Sequence, residues 1–146
     1  MLPNGIYTIQ NQAGGHRTFS IRTQPTDARF ATGARIAALL KGPDNEQDYQ
    51  GFAFVAEPGA PLRVWNKKRG SPGQPSVFEH YARLLALVDV PDGAEEDRRT
   101  TIRLGERAYQ VLCSVRCLVC NRRLTTPESI RAGIGPICSR RKTGAA

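Results

Sequence analysis

Apolar and polar positions first alternate at Gly5–Gln10, where Ile6 and Thr8 interleave with Tyr7 and Ile9. They alternate again at Arg17–Thr23, where Phe19 and Ile21 interleave with Ser20 and Arg22. A period of two marks a half-buried strand. Asn11-Gln12-Ala13-Gly14-Gly15-His16 between the two is turn chemistry, so the pair reads as a hairpin that Gln24-Pro25-Thr26-Asp27 closes. Residues 51–56 and 62–67 read as a second hairpin around Glu57-Pro58-Gly59-Ala60-Pro61. Ser76 and Glu79 have capping-box spacing. Val77, Tyr81, Leu84, Leu85 and Val88 follow as an apolar stripe at helical spacing. Thr100–Leu104 and Ala108–Val115 pair as strands across Gly105-Glu106.

The run 33–41 does not settle its own period. Ile36, Leu39 and Leu40 fit one helix face, Ala37 and Ala38 favour helix, and Gly42-Pro43 would stop it, so a helix is expected. A buried strand is the competing reading.

Polar residues 91–97 make the best boundary, dividing the chain into an α+β domain over 1–97 and a basic module over 98–146. Charge divides at the same place. Residues 1–97 carry 10 Lys and Arg against 11 Asp and Glu, while 98–146 carry 11 against 2. The entire excess of the +8 chain therefore lies in its last third, and all of those cations but Lys142 are arginine. Arginine gives phosphate two parallel hydrogen bonds, which lysine cannot. The balance points to nucleic acid or to an acidic protein surface. Arg116, Arg122, Arg123, Arg131, Arg140 and Arg141 are the expected phosphate contacts.

All four cysteines lie in that third, at Cys113, Cys117, Cys120 and Cys138, spaced C-x3-C-x2-C-x17-C. A C-x2-C knuckle closed by a distant cysteine supplies the tetrahedral thiolate set that Zn²⁺ takes. Cys113 has a competing reading. It alternates with Tyr109, Val111 and Val115 onto one face of a strand, where a buried cysteine packs as a small hydrophobe. His80, then water or a partner's group, are the alternatives for the fourth position. Two disulfides are the other use of four cysteines. The start M-L-P-N-G-I-Y-T-I shows no basic region followed by an apolar run, so a reducing, cytoplasmic setting is expected and zinc is favoured. Between the cysteines, Thr126 reads as an N-cap, Pro127 as the first helical residue, Glu128 as an anion in the first turn and Gly133 as the stop. Gly135-Pro136 opens a second helix with Cys138 in its first turn.

Residues 117–138, C-L-V-C-N-R-R-L-T-T-P-E-S-I-R-A-G-I-G-P-I-C, resemble the zinc-finger-like segment of the DUF6011 family. That segment reads C-x2-C-x-R-x-L-T-x-P-x-S-I-x-x-G-I-G-P-x-C. Arg122 falls at the arginine offset, and Leu124, Thr125, Pro127, Ser129, Ile130, Gly133, Gly135 and Pro136 fit. The stretch G-P-D-N-E-Q-D-Y-Q-G-F-A-F-V at 42–55 is similar to the amino-terminal part of phage proteins carrying this finger. Their pattern just upstream is β-branched, which leans towards strand at 33–41. The resemblance implies a treble-clef-like or knuckle-type zinc module and a phage or actinobacterial setting. The expected fold is thus a small α+β hairpin domain with one or two helices, followed by a four-cysteine zinc module.

Other chemistry is sparse. Asp44, Glu46 and Asp48 alternate in an acidic loop, but the late bidentate Glu of a calcium loop is missing. Trp65 before Lys67, Lys68 and Arg69 has the pattern for stacking a base, although a core tryptophan beside a solvated basic turn is the commoner arrangement. No G-x-S-x-G, H-E-x-x-H, phosphate loop, dinucleotide fingerprint or H-x-E occurs, and there are two histidines. No apolar run approaches the ~20 residues of a membrane span. The expected function is non-enzymatic: nucleic-acid binding through the zinc module. The alternative is a phage or mobile-element protein that docks on a host or phage protein, such as a nucleic-acid-processing or defence complex.

Overall fold

Both edges of the amino-terminal strand β1 (Gly5–Gln10) are occupied. On one side it pairs with β2 (His16–Thr23), from Gly5 opposite Ile21 to Gln10 opposite His16. On the other it pairs with β7 (Arg107–Cys113), from Tyr7 opposite Cys113 to Gln10 opposite Gln110. The computed structural model describes residues 2, 4–55, 62–88, 99–113 and 123–132. Beyond β2 the sheet continues through β3 (Arg35–Leu40), β4 (Tyr49–Phe54) and the two-residue β5 (Arg63–Val64). Beyond β7 it ends on β6 (Arg99–Leu104). The order is β5-β4-β3-β2-β1-β7-β6, and every pair is antiparallel. Strands from either side of residue 98 therefore share one sheet, joined by hydrogen bonds between β1 and β7. Gly105 sits in the β6–β7 turn at φ +63°, a conformation that costs a side chain and suits glycine.

Residues 33–41 form no helix; their core is the strand β3. Apolar side chains are wanted on both of its faces. Ala37 and Leu39 face the same way as Ile21 and Phe19, their partners on β2, while Ile36, Ala38 and Leu40 point to the other side. A strand covered on both sides reads as a continuous apolar run rather than an alternation. That is why its period imitates a helix. A register shift between Ala37 and Ala38 bends the ladder to β4.

One helix covers one face. The helix α1 (Val77–Ala86) starts at Ser76 with a full capping box: the Glu79 amide donates to the Ser76 hydroxyl, and the Ser76 amide donates to the Glu79 carboxylate. Leu84, Leu85, Ala82 and Val88 are buried against Tyr7, Ile9, Phe19, Ile21 and Val111. Phe19 meets Tyr81 at 5.1 Å and Phe52 at 6.1 Å between ring centroids, both edge-on, the favoured aromatic geometry. Val77, expected in the apolar stripe and the first residue of the helix, is 53% exposed. The second hairpin forms, but its return strand is only Arg63–Val64. From Asn66 to Lys68 the chain turns as a 3-10 helix. No helix among the described residues is long and apolar enough to cross a membrane.

Candidate metal segment and basic surfaces

The opposite face of the sheet receives the carboxy-terminal segment. Alternation turns Thr8 and Thr18 away from α1, and both are buried. Their hydroxyls lie 2.8 Å apart. Both reach the Thr125 carbonyl, Thr8 at 2.7 Å and Thr18 at 3.2 Å; with two protons for three contacts, Thr8 donates to the carbonyl and Thr18 donates either to it or to Thr8. One carbonyl over a hundred residues distant thus closes a dry three-membered polar clasp. Leu124, the residue before that carbonyl, and Ile130 are buried as well. The short helix α2 (Pro127–Ala132) follows, with the Ser129 amide donating to the Thr126 hydroxyl at 3.3 Å, the cap that the sequence predicts. Leu124, Thr125, Ser129 and Ile130 are thus buried, not surface, positions.

The acidic loop before β4 grips the start of the same segment. Asp44 and Asp48 fold the loop on itself: the Asp44 carboxylate accepts from the amides of Glu46 and Gln47, and the Asp48 carboxylate accepts from the Asp44 amide. The Asn45 side chain donates to the Arg123 carbonyl at 3.0 Å, and the Glu46 carboxylate lies 3.6 Å from the Arg123 guanidinium. Tyr49 donates to the Asn45 carbonyl, and burial pushes its phenol up to about 12 against the opposing pull of Arg22 and Arg123.

Of the six expected phosphate contacts, two are described: Arg123 is partly buried, and Arg131 is exposed. Arg123 serves Glu46. Arg131 donates to Gln10 at 2.9 Å and to Gln110 at 2.5 Å, two glutamines that the β1–β7 register sets opposite each other. Arg116, Arg122, Arg140 and Arg141 lie outside the described residues.

Of the expected metal ligands, Cys117, Cys120 and Cys138 also lie outside them. Cys113 is described. It is half-buried at the end of β7, opposite Tyr7, and packs against the α1 side of the sheet. Its neighbour Tyr7 has its phenol pushed well above the ordinary range, first by burial and then by Cys113, with Arg35 opposing. His80 stands on α1 with its ring 6.1 Å from that of Tyr109, four residues before Cys113 and so roughly 13 Å back along the strand. Burial, then Arg107 and Arg83, hold its pKa below the usual value. Among the described residues no three His, Cys, Asp or Glu side chains come together as a metal site. The metal reading is carried by the spacing of the cysteines.

A second basic surface stands where the sequence shows no net positive charge. Arg35, Arg63, Arg69 and Arg83 line a cleft of about 1470 Å³ at the β5 end of the sheet. Glu79 lines it too, its carboxylate accepting from the amides of Gly70 and Ser76, so the described lining carries four positive charges against one negative. Trp65 is half-buried beside it. The indole lies over Gly51, where a Cβ would come within 2.6 Å of the ring, so glycine is required there. Trp65 packs on Phe54 at 5.6 Å and Phe30 at 5.5 Å. It is a foundation for the outer ring, Phe30, which is 54% exposed. Sequence reasoning missed this surface because its arginines come from four separate elements.

Residues 110–142 match the model of a family of unknown function, DUF6011. The interval runs from the middle of β7 through α2 and contains all four cysteines. No curated protein and no solved structure matches the chain.

Proposed function

With residues 110–142 as a DUF6011 segment, we propose that the chain is a non-enzymatic, cytoplasmic zinc protein that binds nucleic acid through its arginine-rich carboxy-terminal third. The observation that carries the reading is the charge balance: 11 basic residues against 2 acidic in 98–146, ten of the eleven being arginine. Cys117, Cys120 and Cys138 would hold the zinc, with Cys113 as fourth ligand. The metal would supply folding energy to a segment too short for a core of its own. The clasp at Thr125 supports this division of labour. The middle of the segment anchors to the sheet, Arg123 helps to seat it, and Arg116, Arg122, Arg131, Arg140 and Arg141 are left as the phosphate contacts.

The test is fluorescence anisotropy of the zinc-loaded protein with random single-stranded DNA, duplex DNA and RNA across a salt series. Changing Arg116, Arg122, Arg140 and Arg141 together to Gln should flatten the log–log salt slope by about 3, at roughly 0.7–0.9 for each phosphate that is no longer neutralised. No binding at low salt sinks the proposal, and a protein partner with an acidic surface then takes its place. Cys117→Ser should lose the metal. A variant that kept one zinc per chain would show the ligand assignment to be wrong.

A further inference from the structure

The cleft at the β5 end of the sheet has its own charge and its own aromatic ring, neither belonging to the cysteine segment. Arg35, Arg63, Arg69 and Arg83 line it. Among the described residues, no carboxylate lies within ion-pair distance of any of the four. Arg35 donates to Asn4 Oδ1 at 2.9 Å and to the Leu2 carbonyl, and two others are held in place by neighbours that do not neutralise them. Arg63 lies over the Phe54 ring, 5.4 Å from its centroid, and Arg69 donates its Nε–H to the Val64 carbonyl at 2.9 Å. Both contacts fix a guanidinium while leaving its charge, and for Arg69 its terminal N–H groups, for a ligand.

Phe54 joins the cleft to the aromatic cluster. It lines the cleft and stacks on Phe30, with centroids 6.2 Å apart and planes at 26°. Phe30 is the most exposed large apolar side chain among the described residues. The loop that carries it is hydrogen-bonded across its base, Gln24 N to the Ala34 carbonyl at 2.8 Å and Gly33 N to the Gln24 carbonyl at 3.1 Å. The Gln24 side chain also donates to the carbonyl of Phe30 itself. The next residue, Ala31, takes a positive φ of 49°, unusual for a residue with a Cβ. The loop therefore presents an apolar ring outwards while the sheet buries comparable rings.

An aromatic ring open on one side, beside a row of arginines, matches a polyanion that carries flat apolar groups. Single-stranded nucleic acid has this character, because its bases are unstacked and available, whereas a duplex keeps them inside. We propose that the cleft and the Phe30 ring, which adjoins it through Phe54 without lining it, form one single-strand site across the β5 edge, in which Arg63, Arg69 and Arg83 hold phosphates and Phe30 stacks a base. The inference deepens the nucleic-acid reading by naming the form of the ligand, and it places the selective contacts outside the cysteine segment.

The experiment uses the full zinc-loaded chain and a labelled oligo(dT) 20-mer, with an abasic oligomer of equal length and a duplex as comparisons. Phe30→Ala should weaken oligo(dT) about fivefold or more, the scale of one base stack, and leave the abasic oligomer unchanged. Arg63→Gln with Arg83→Gln should weaken both single strands and spare the duplex. Phe30 and the two arginines are exposed, so these variants should keep the fold; an unchanged circular dichroism melt confirms it. If the cleft variants bind like the parent while the tail arginine variants lose affinity, the cleft inference falls and the general reading stands. If the cleft variants lose affinity and the tail variants do not, the cleft stands and the tail assignment falls. An unmodified protein that binds no nucleic acid overturns both. Polyglutamate competing as well as oligo(dT) would make the cleft a general anion site and overturn the role given to Phe30.

Discussion

The two faces of the sheet are held by different physics. On the α1 side, Phe19, Ile21, Phe52, Leu85 and Val111 are wholly buried, and the attachment is apolar area and ring packing. On the other side the central contact is polar, two threonine hydroxyls and one carbonyl, with Ile6, Ala38, Leu112, Leu124 and Ile130 buried outside the α1-side core. Apolar packing is strong and tolerant of small shifts, because it is non-directional. A buried hydroxyl–carbonyl clasp adds less net energy but penalises any mis-seating, because the unpaired groups would be desolvated. The α1 face thus supplies most of the apolar core, and the clasp face adds a defined position for a short segment.

The largest expected effect lies on the first face. Phe19→Ala empties the middle of the core and should cost about 3–5 kcal/mol in urea unfolding. A loss under about 1 kcal/mol would mean that α1 does not rest on this ring. On the second face, Thr8→Val keeps the shape but leaves the Thr125 carbonyl with the longer bond from Thr18 alone, and should cost about 1–3 kcal/mol. The signature that separates the faces is where the loss appears. Amide hydrogen exchange should rise first at residues 124–130 in Thr8→Val, and throughout the sheet in Phe19→Ala. Uniform exchange in both variants would merge the two faces into one cooperative unit.

Ser76→Ala removes the hydroxyl half of the capping box and should cost about 1 kcal/mol by thermal or urea unfolding, with the effect confined to the α1 side. The smallest effect is in pH. His80 has its pKa lowered in the folded state, so the unfolded chain binds the extra proton first. Its contribution is intact above the ordinary histidine value near 6.5 and is lost as pH falls below it. His80→Gln should make stability fall less steeply as pH drops below about 6.5. An identical acid limb in the two proteins would show that His80 carries none of it.

Where a strand has one polar face, the alternation shows it. β1 and β2 stand within a residue of their expected bounds, and Ser76 and Glu79 announce the helix start together. Local signals suffice in those places because the capping partners and the period sit within a few residues. β3 defeats the same logic: with β2 and β4 beside it and apolar neighbours on both sides, Arg35–Leu40 has no polar face to reveal its period. The threonine clasp was equally hidden. Thr8 and Thr18 look like ordinary outward positions of a hairpin, and nothing near them in the chain points to Thr125. The four-arginine cleft was hidden in another way, since charge was counted along the chain while the cleft gathers it in space.

What the sequence alone determined was therefore local or compositional: the hairpin, the capped helix, the Thr126–Pro127 helix start, and the concentration of cysteine and arginine in one third. The tertiary structure decided which distant groups meet. It made β7 a neighbour of β1, turned Arg35–Leu40 into a strand, paired Arg123 with Glu46, set Arg131 against Gln10 and Gln110, and assembled Arg35, Arg63, Arg69 and Arg83 around one cleft. The reason is physical. Turns and caps are closed by groups a few residues apart, while sheet order and polar clasps are chosen by whichever distant partners satisfy buried area and buried hydrogen bonds together.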